Sequence, residues 1–580
     1  MEFSLTTRHC PSILALSLLA VLITVSASDA QSQRSSAQLP IELHPGLVIT
    51  RSSRITPRTY RLPAHSLDSA VITIRGDNIT LDFAGATMEG APPDADPDSA
   101  AGVALLIEGG RNIRIINARI RGYKVGILAR GTRALSLIDN DLSYGWRPRL
   151  PNGALSFHQD EKDEFLRYGA GAYLADVTGG EIRGNAVVQG MNGLILVRSS
   201  GLRIWNNNFS FNTGVGIGLY ESINDTIMHN RADYNVRGSA GAGLLMSAQS
   251  SNNVVAYNSV THGGDGLSLW AGRSAIDTVA GGSNDNVFYM NDFSFAVVHG
   301  IEAIASRNAF IRNYVEGSEN GLWGRYTFDS RIVGNRFVDN RTGIAIDRGR
   351  NTTIVANIFA GDTTAVHLWG DSVRRGSTYK IEGNLFGTGR VGVRASNTNA
   401  LSVVDNRFVD VDSLTVLRDT TGYSFSGNTD GRDSPWPRRF ARPPLELVGT
   451  VPDPLKGGFL PSRQDTTLAG RPRSAIIVDE WGPYDYRSPK LWPLDGSNGL
   501  RLRTLGPPGR WRVLSRRGVA SVSSETGTIG DTISVTPQPD SISDWELTLE
   551  YRGGATISPR GVALPAGVPF RFSYAPRRSD

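Results

Sequence analysis

Asp265, His299 and Glu302 are the residues of this chain whose types and spacing best suit chemistry. Two carboxylates beside an imidazole can divide acid and base roles, because like-charge repulsion and partial burial push their pKa values apart. Asp265 and His299 each stand just before a Gly–aliphatic pair, Gly266-Leu267 and Gly300-Ile301, and Glu302 directly follows Ile301. Where such pairs mark the same turn on successive coils, the aliphatic residue faces the core. The residue before the glycine and the second residue after it then face outward. All three side chains would share one outer surface on neighbouring strands, about 5 Å apart. His262, Trp270, Trp323 and Tyr326 fall beside them, and aromatic faces suit sugar rings. The first three residues are the expected catalytic groups. The four aromatic neighbours are expected to bind substrate.

The scaffold that must position these groups is legible in asparagine. Asn185, Asn207, Asn230, Asn258, Asn291, Asn313, Asn335, Asn357, Asn384, Asn406 and Asn428 recur with a beat of 22 residues, which six of the ten intervals match. Typical copies are Ile182-Arg-Gly-Asn185-Ala-Val187 and Ile332-Val-Gly-Asn335-Arg-Phe337. Some eight residues after each Asn a small residue precedes an aliphatic one, as in Gly193-Leu194, Gly216-Ile217, Gly343-Ile344 and Ala365-Val366. Two turns per unit with short strands between them describe one coil of a parallel β-helix, each coil burying its apolar face on the next. Roughly fifteen such coils fit between residues 61 and 430, and the crossover preference of parallel strands makes the helix right-handed. Asn at such turns tolerates left-handed geometry and stacks its amide on its copies, so both columns are read as structural.

Departures from the beat carry more information about function. About 23 extra residues separate Asn140 from Gly171, about 11 lie between Gly266 and Asn291, and about five between Ala365 and Asn384. All three insertions border one strand column and would wall a cleft on its outer face. The longest supplies four more expected substrate-binding residues, His158, Glu161, Arg167 and Tyr168, and its Gln159–Arg167 stretch is expected to form a short helix. The alternative for any one of these charges is a solvated loop.

Repeats of this kind resemble those of the pectin-lyase-like superfamily of right-handed parallel β-helices, especially its NosD-like, carbohydrate-binding branch. The resemblance spans about 370 residues, from 61 to 430. It implies a fold and a polysaccharide ligand but no single reaction, because the superfamily includes lyases, glycoside hydrolases, epimerases, tailspikes and adhesins. Neither the paired-Asp signature of polygalacturonases nor the Asp-Pro-His motif of alginate epimerases is present.

The remaining sequence bounds the function further. Residues 1–30 look like a secretory signal, with an apolar run from Ile13 to Val25 and small residues at Ala27 and Ala30. A periplasmic or extracellular protein without a transmembrane helix is therefore expected. Residues 31–60 are expected to cap the solenoid. The lone cysteine, Cys10, lies in the signal, so neither disulfides nor thiolate metal sites are expected. Residues 431–580 hold 21 Lys or Arg against 15 Asp or Glu, which leaves the solenoid near neutral and argues against nucleic acid as a partner. Residues 431–473, crowded with Pro and Arg, read as a linker, and alternating strands from 474 to 580 read as a small β-sandwich. Its aromatic segment Asp479–Tyr486 is read as a docking surface against the solenoid or, failing that, as a glycan contact.

The first functional reading is a glycoside hydrolase acting on a polysaccharide, as a monomer and without a cofactor. A Ca²⁺ site built from Asp and Glu is the one metal site considered. The alternatives are a non-catalytic glycan-binding protein and a polysaccharide lyase. A lyase suits the cleft less well, since it needs a strong base with a neutralised uronate and the chain has five Lys against 55 Arg. Metal delivery, which the NosD name suggests, finds scattered histidines and no cysteine in the mature chain.

Overall fold

Fifteen side chains, from Leu47 through Ile72, Leu105 and Ile127 to Ile344, Val366, Val393 and Thr415, stand one above another as register partners in parallel strands. This ladder belongs to a computed structural model that describes residues 40–150, 164–237, 241–271, 282–431, 471–494, 500–541 and 544–576. Each coil contributes to three strand columns. The first includes Val125–Arg130, Asp265–Trp270, His299–Ile304 and Asn320–Arg325, and the second includes Arg133–Ile138, Ser200–Trp205 and Arg350–Val355. The third begins with Thr59–Arg61, thins to single bridges at Asp141, Ala186, Asn208, Arg231, Ser259 and Asp292, and widens again at Tyr314–Glu316. Parallel pairing runs from coil to coil, so the chain is an all-β parallel β-helix. Its first coil, starting at Leu47–Ile49, lies within the stretch expected to be a cap.

One continuous apolar core fills the tube, with stacked rings at Phe337, Phe359, Phe386 and Phe408. At the turn into the third column the asparagines form a buried amide ladder. Asn313 Nδ2, for example, donates to Asn335 Oδ1 at 3.0 Å and to the Phe288 carbonyl at 2.9 Å, and each neighbour repeats the pattern. Such a ladder satisfies backbone groups that a tight buried turn would leave unpaired. The glycine of each Gly–aliphatic pair is demanded by close approach. A Cβ at Gly300 would lie 2.2 Å from Val315 Cγ1 and 2.8 Å from the Gly321 carbonyl oxygen. Gly300 and Ile301 both face inward, and this local irregularity places His299 and Glu302 on the same outer face although they are three residues apart.

Beyond the solenoid, two four-stranded antiparallel sheets enclose a second core built on Trp511, Trp545, Leu547, Leu549 and Tyr551. Residues 40–580 form one compact body. The Asp479–Tyr486 segment docks on the solenoid's turns: Thr213 Oγ1 donates to the Trp481 carbonyl at 2.9 Å, Gln189 Nε2 to Pro483 O at 3.2 Å and Leu150 N to Glu480 O at 2.7 Å. Further along, the buried Arg560 donates to Ala95 O at 2.9 Å and Ser99 Oγ at 2.7 Å.

Candidate functional site

Strand Asp265–Trp270 lies between Ala242–Ser247 and His299–Ile304, and Asn320–Arg325 follows on the next coil. Register pairs Ser268 with Glu302 and Glu302 with Trp323, while His299 pairs with Asn320. Six outward side chains therefore meet: Asp265, Ser268, His299, Glu302, Asn320 and Trp323. Ser268 is buried and the others are half-buried.

Hydrogen bonds give each group a distinct state. Asp265 Oδ1 accepts the His299 backbone N–H at 3.0 Å, and Glu302 Oε2 accepts the Ser268 hydroxyl at 2.5 Å. Burial, reinforced by the charge of Glu302, holds the Asp265 carboxyl well above the usual carboxylate range. Glu302 is also raised by burial, but its bond from Ser268 favours the ionised form. Asp265 likewise gains from the His299 N–H, which favours its ionised form, so the two carboxyls titrate as one coupled pair with both members raised by burial.

His299 is held as a neutral imidazole. Burial pushes its pKa down to about 4, against the opposing charge of Glu319. Its Nδ1 lies 3.2 Å from the donor-only Nδ2 of Asn320, so Nδ1 accepts and Nε2 carries the hydrogen. The neutral ring stacks on Trp323 with centroids 5.1 Å apart and planes 5° from parallel. It is a hydrogen-bond donor on an aromatic platform.

The other expected binding residues divide. Trp270, Trp323 and Tyr326 pack together against Ala271, Ile304 and Ala305, forming an apolar wall beside the acids. Tyr326 is edged by guanidinium groups, with Arg348 4.7 Å and Arg374 5.8 Å from its ring centre. Arg167 is exposed and donates to the Tyr168 hydroxyl at 3.3 Å, next to the four-residue helix Glu164–Arg167. His158 and Glu161 lie outside the described residues. His262 does not join the six outward side chains. It occupies a turn with φ +57°, is fully buried, and stacks between Tyr234 and Phe295. Its Nε2 donates to the Arg471 carbonyl at 2.7 Å and its Nδ1 lies 2.9 Å from Thr261 Oγ1, so both nitrogens are engaged.

With this geometry in hand, two family profiles match the chain. One, described as periplasmic copper-binding protein (NosD), covers residues 72–298, and the other, described as a right-handed β-helix region, covers residues 274–430. Together they span the solenoid. Both profiles agree with the right-handed parallel β-helix fold of residues 72–430.

Among solved structures of this fold, the A-module of a mannuronan C-5 epimerase from Azotobacter vinelandii is 13% identical with a TM-score of 0.36, covering 66% of this chain and 91% of its own. A periplasmic alginate epimerase is 11% identical with a TM-score of 0.35, covering 66% and 85%. A DFA-IIIase from Arthrobacter chlorophenolicus A6, in complex with GF2, is 14% identical with a TM-score of 0.36, covering 57% and 88%. Likenesses this distant say nothing of activity. No curated protein sequence matches the chain.

Among the described residues the copper named in the first profile finds no donor set. Among the described residues no three His, Cys, Asp or Glu side chains converge as metal ligands. His299 turns its Nδ1 to Asn320 and His262 has both nitrogens engaged. Among the described residues, too, no helix is long and apolar enough to cross a membrane.

Ser268 and Asn320 stand in the outward positions that the repeat assigns them, and their part in the site lies in their hydrogen bonds to Glu302 and His299. Arg473, whose Nη1 donates to the Val297 carbonyl at 3.1 Å, holds the turn that leads into His299 from 176 residues away. Nothing local marks such a contact.

Proposed function

We propose that this is an exported polysaccharide-active protein that hydrolyses glycosidic bonds, with Asp265 as general acid and Glu302 as general base or nucleophile. The observation that carries this reading is the coupled carboxyl pair. Both acids are raised by burial on adjacent strands, and the charge of Glu302 raises Asp265 further. A protonated and an ionised carboxyl side by side are the two parts that glycoside hydrolysis needs. The His299 Nε2–H would bind a sugar hydroxyl, and the Trp270, Trp323 and Tyr326 wall would receive a sugar ring. The resemblance of the repeats to carbohydrate-binding β-helices supports a glycan ligand. The periplasmic description of the matching profile, with the apolar N-terminal run, supports export.

Purified protein incubated with neutral and acidic polysaccharides should release reducing ends without the ultraviolet absorbance of an unsaturated uronate. Absorbance appearing with each cut would make it a lyase. A second reading, glycan binding without turnover, is favoured by the Trp323 platform stacked on a neutral His299. Binding without new reducing ends would establish it, and Trp323→Ala should then weaken the binding by at least about tenfold.

A further inference from the structure

The outer face of the first strand column changes character along the rod, and the change falls at the acid pair. Toward the N-terminal side, the outward register partners Leu128, Tyr173, Ile195 and Leu245 are apolar and no more than 4% exposed. The parallel row just before the turn behaves likewise: Val125, Ala170, Val215 and Ala242 are at most 5% exposed. These residues form an apolar cluster separate from the core inside the tube, and Leu166 from the Glu164–Arg167 helix packs on it. A solenoid face has no reason to be apolar on its outside unless it is covered.

The apolar run ends at the strand carrying Asp265. In the row that was apolar through Ala242, Asp265, His299 and Asn320 are half-buried and polar. In the other row Glu302 and Trp323 are half-buried, Ala345 is small and buried, His367 is half-buried and Arg394 is exposed. His367 and Trp369 form a second aromatic pair, 4.6 Å between ring centres, two coils beyond Trp323. A chain lying along this face can thus extend over several coils toward the C-terminal end of the rod. Toward the N-terminal end it meets a packed apolar surface about six coils long, on the order of 30 Å.

We propose that the acid pair sits at the closed end of a one-ended groove, which receives the terminus of a glycan chain and releases a short unit from it. The inference rests on the polysaccharide reading above and adds its mode of action. The terminal sugar would lie over Asp265, against the apolar surface, and Asn320 and the His299 Nε2–H would hydrogen-bond the hydroxyls of the next sugar. Trp323 and the His367–Trp369 pair would carry the sugars that follow. The packed apolar surface leaves no room beyond the terminal sugar, so a blocked terminus is rejected on steric grounds.

Two measurements separate this proposal from the hydrolase reading. On a polysaccharide that the protein cuts, the first products should be a single short sugar, with viscosity almost unchanged while reducing ends rise. An early ladder of oligomers with collapsing viscosity would overturn the proposal and leave hydrolysis standing. Calorimetric binding of defined oligosaccharides provides the second test and needs no turnover. Blocking one terminus of a bound oligosaccharide should weaken binding by at least about tenfold, and blocking the other should leave it unchanged. Equal affinity with either terminus blocked would overturn the closed end even if catalysis were absent. Failure to bind any glycan would overturn both readings.

Discussion

At the scale of single residues, the account turns on how one proton is divided between Asp265 and Glu302. Activity requires Glu302 ionised and Asp265 protonated, so it should fall as pH drops through the Glu302 value and fall again as pH rises through that of Asp265. Removing the hydroxyl that favours the Glu302 anion raises the lower of these, so Ser268→Ala should move the acidic limb of the pH–rate profile to higher pH. An unmoved limb would show that Ser268 does not bias the pair. The two carboxylates and Trp323 were legible because each stands at a fixed offset from a Gly–aliphatic pair. His262 was misread for a physical reason: three residues before Asp265 the chain is in a left-handed turn. The ring there points into an aromatic stack that the Arg471 carbonyl closes. Its partner is 209 residues away, beyond the reach of any local pattern.

At the scale of elements, the coil turns are as informative as the strands. The main Asn column could be counted from the sequence. Two further ladders could not, because Ser and Asp interrupt them. One runs through Asn253, Asn286 and Asn308, with Asp225 at its start, and the other links Asn340 to Asp362. Burial raises Asp225 to about 7 and Asp362 to about 8, and in each a second oxygen is buried without a hydrogen-bond partner. A carboxyl raised above its unfolded value stabilises the fold fully at pH below that unfolded value. The contribution is lost as pH rises through about 7 and about 8. Asp362→Asn restores an amide to an amide ladder, so it should raise Tm more at pH 8.5 than at pH 5, as a pair of thermal scans would show (pH values chosen on about either side of the shift). An equal change at both pH values would count against the buried acid. The strands themselves should tolerate less: Ile344→Pro removes a ladder donor and a fully buried side chain, and should abolish the folded rod. A soluble variant with an unchanged far-UV spectrum would contradict the stacking.

At the scale of the whole molecule, the C-terminal region is part of the solenoid's surface. Its strands were legible from their alternation, but its docking was not, because the contacts join residues several hundred positions apart. Arg560→Ala would leave the Ala95 and Asp96 carbonyls without their donor, and should cost about 1–3 kcal/mol of stability by denaturant unfolding. An unchanged midpoint would mean that this contact holds nothing. The same region steadies the site, since Arg473 holds the Val297 carbonyl two residues before His299. Everything proposed for the molecule still depends on the two carboxylates that this scaffold brings together. Turnover by Glu302→Gln and Asp265→Asn, measured on a glycan the wild type cuts, tests them most directly. The account predicts that each falls by at least about 10²-fold with little change in Tm. Wild-type turnover in both variants would contradict it.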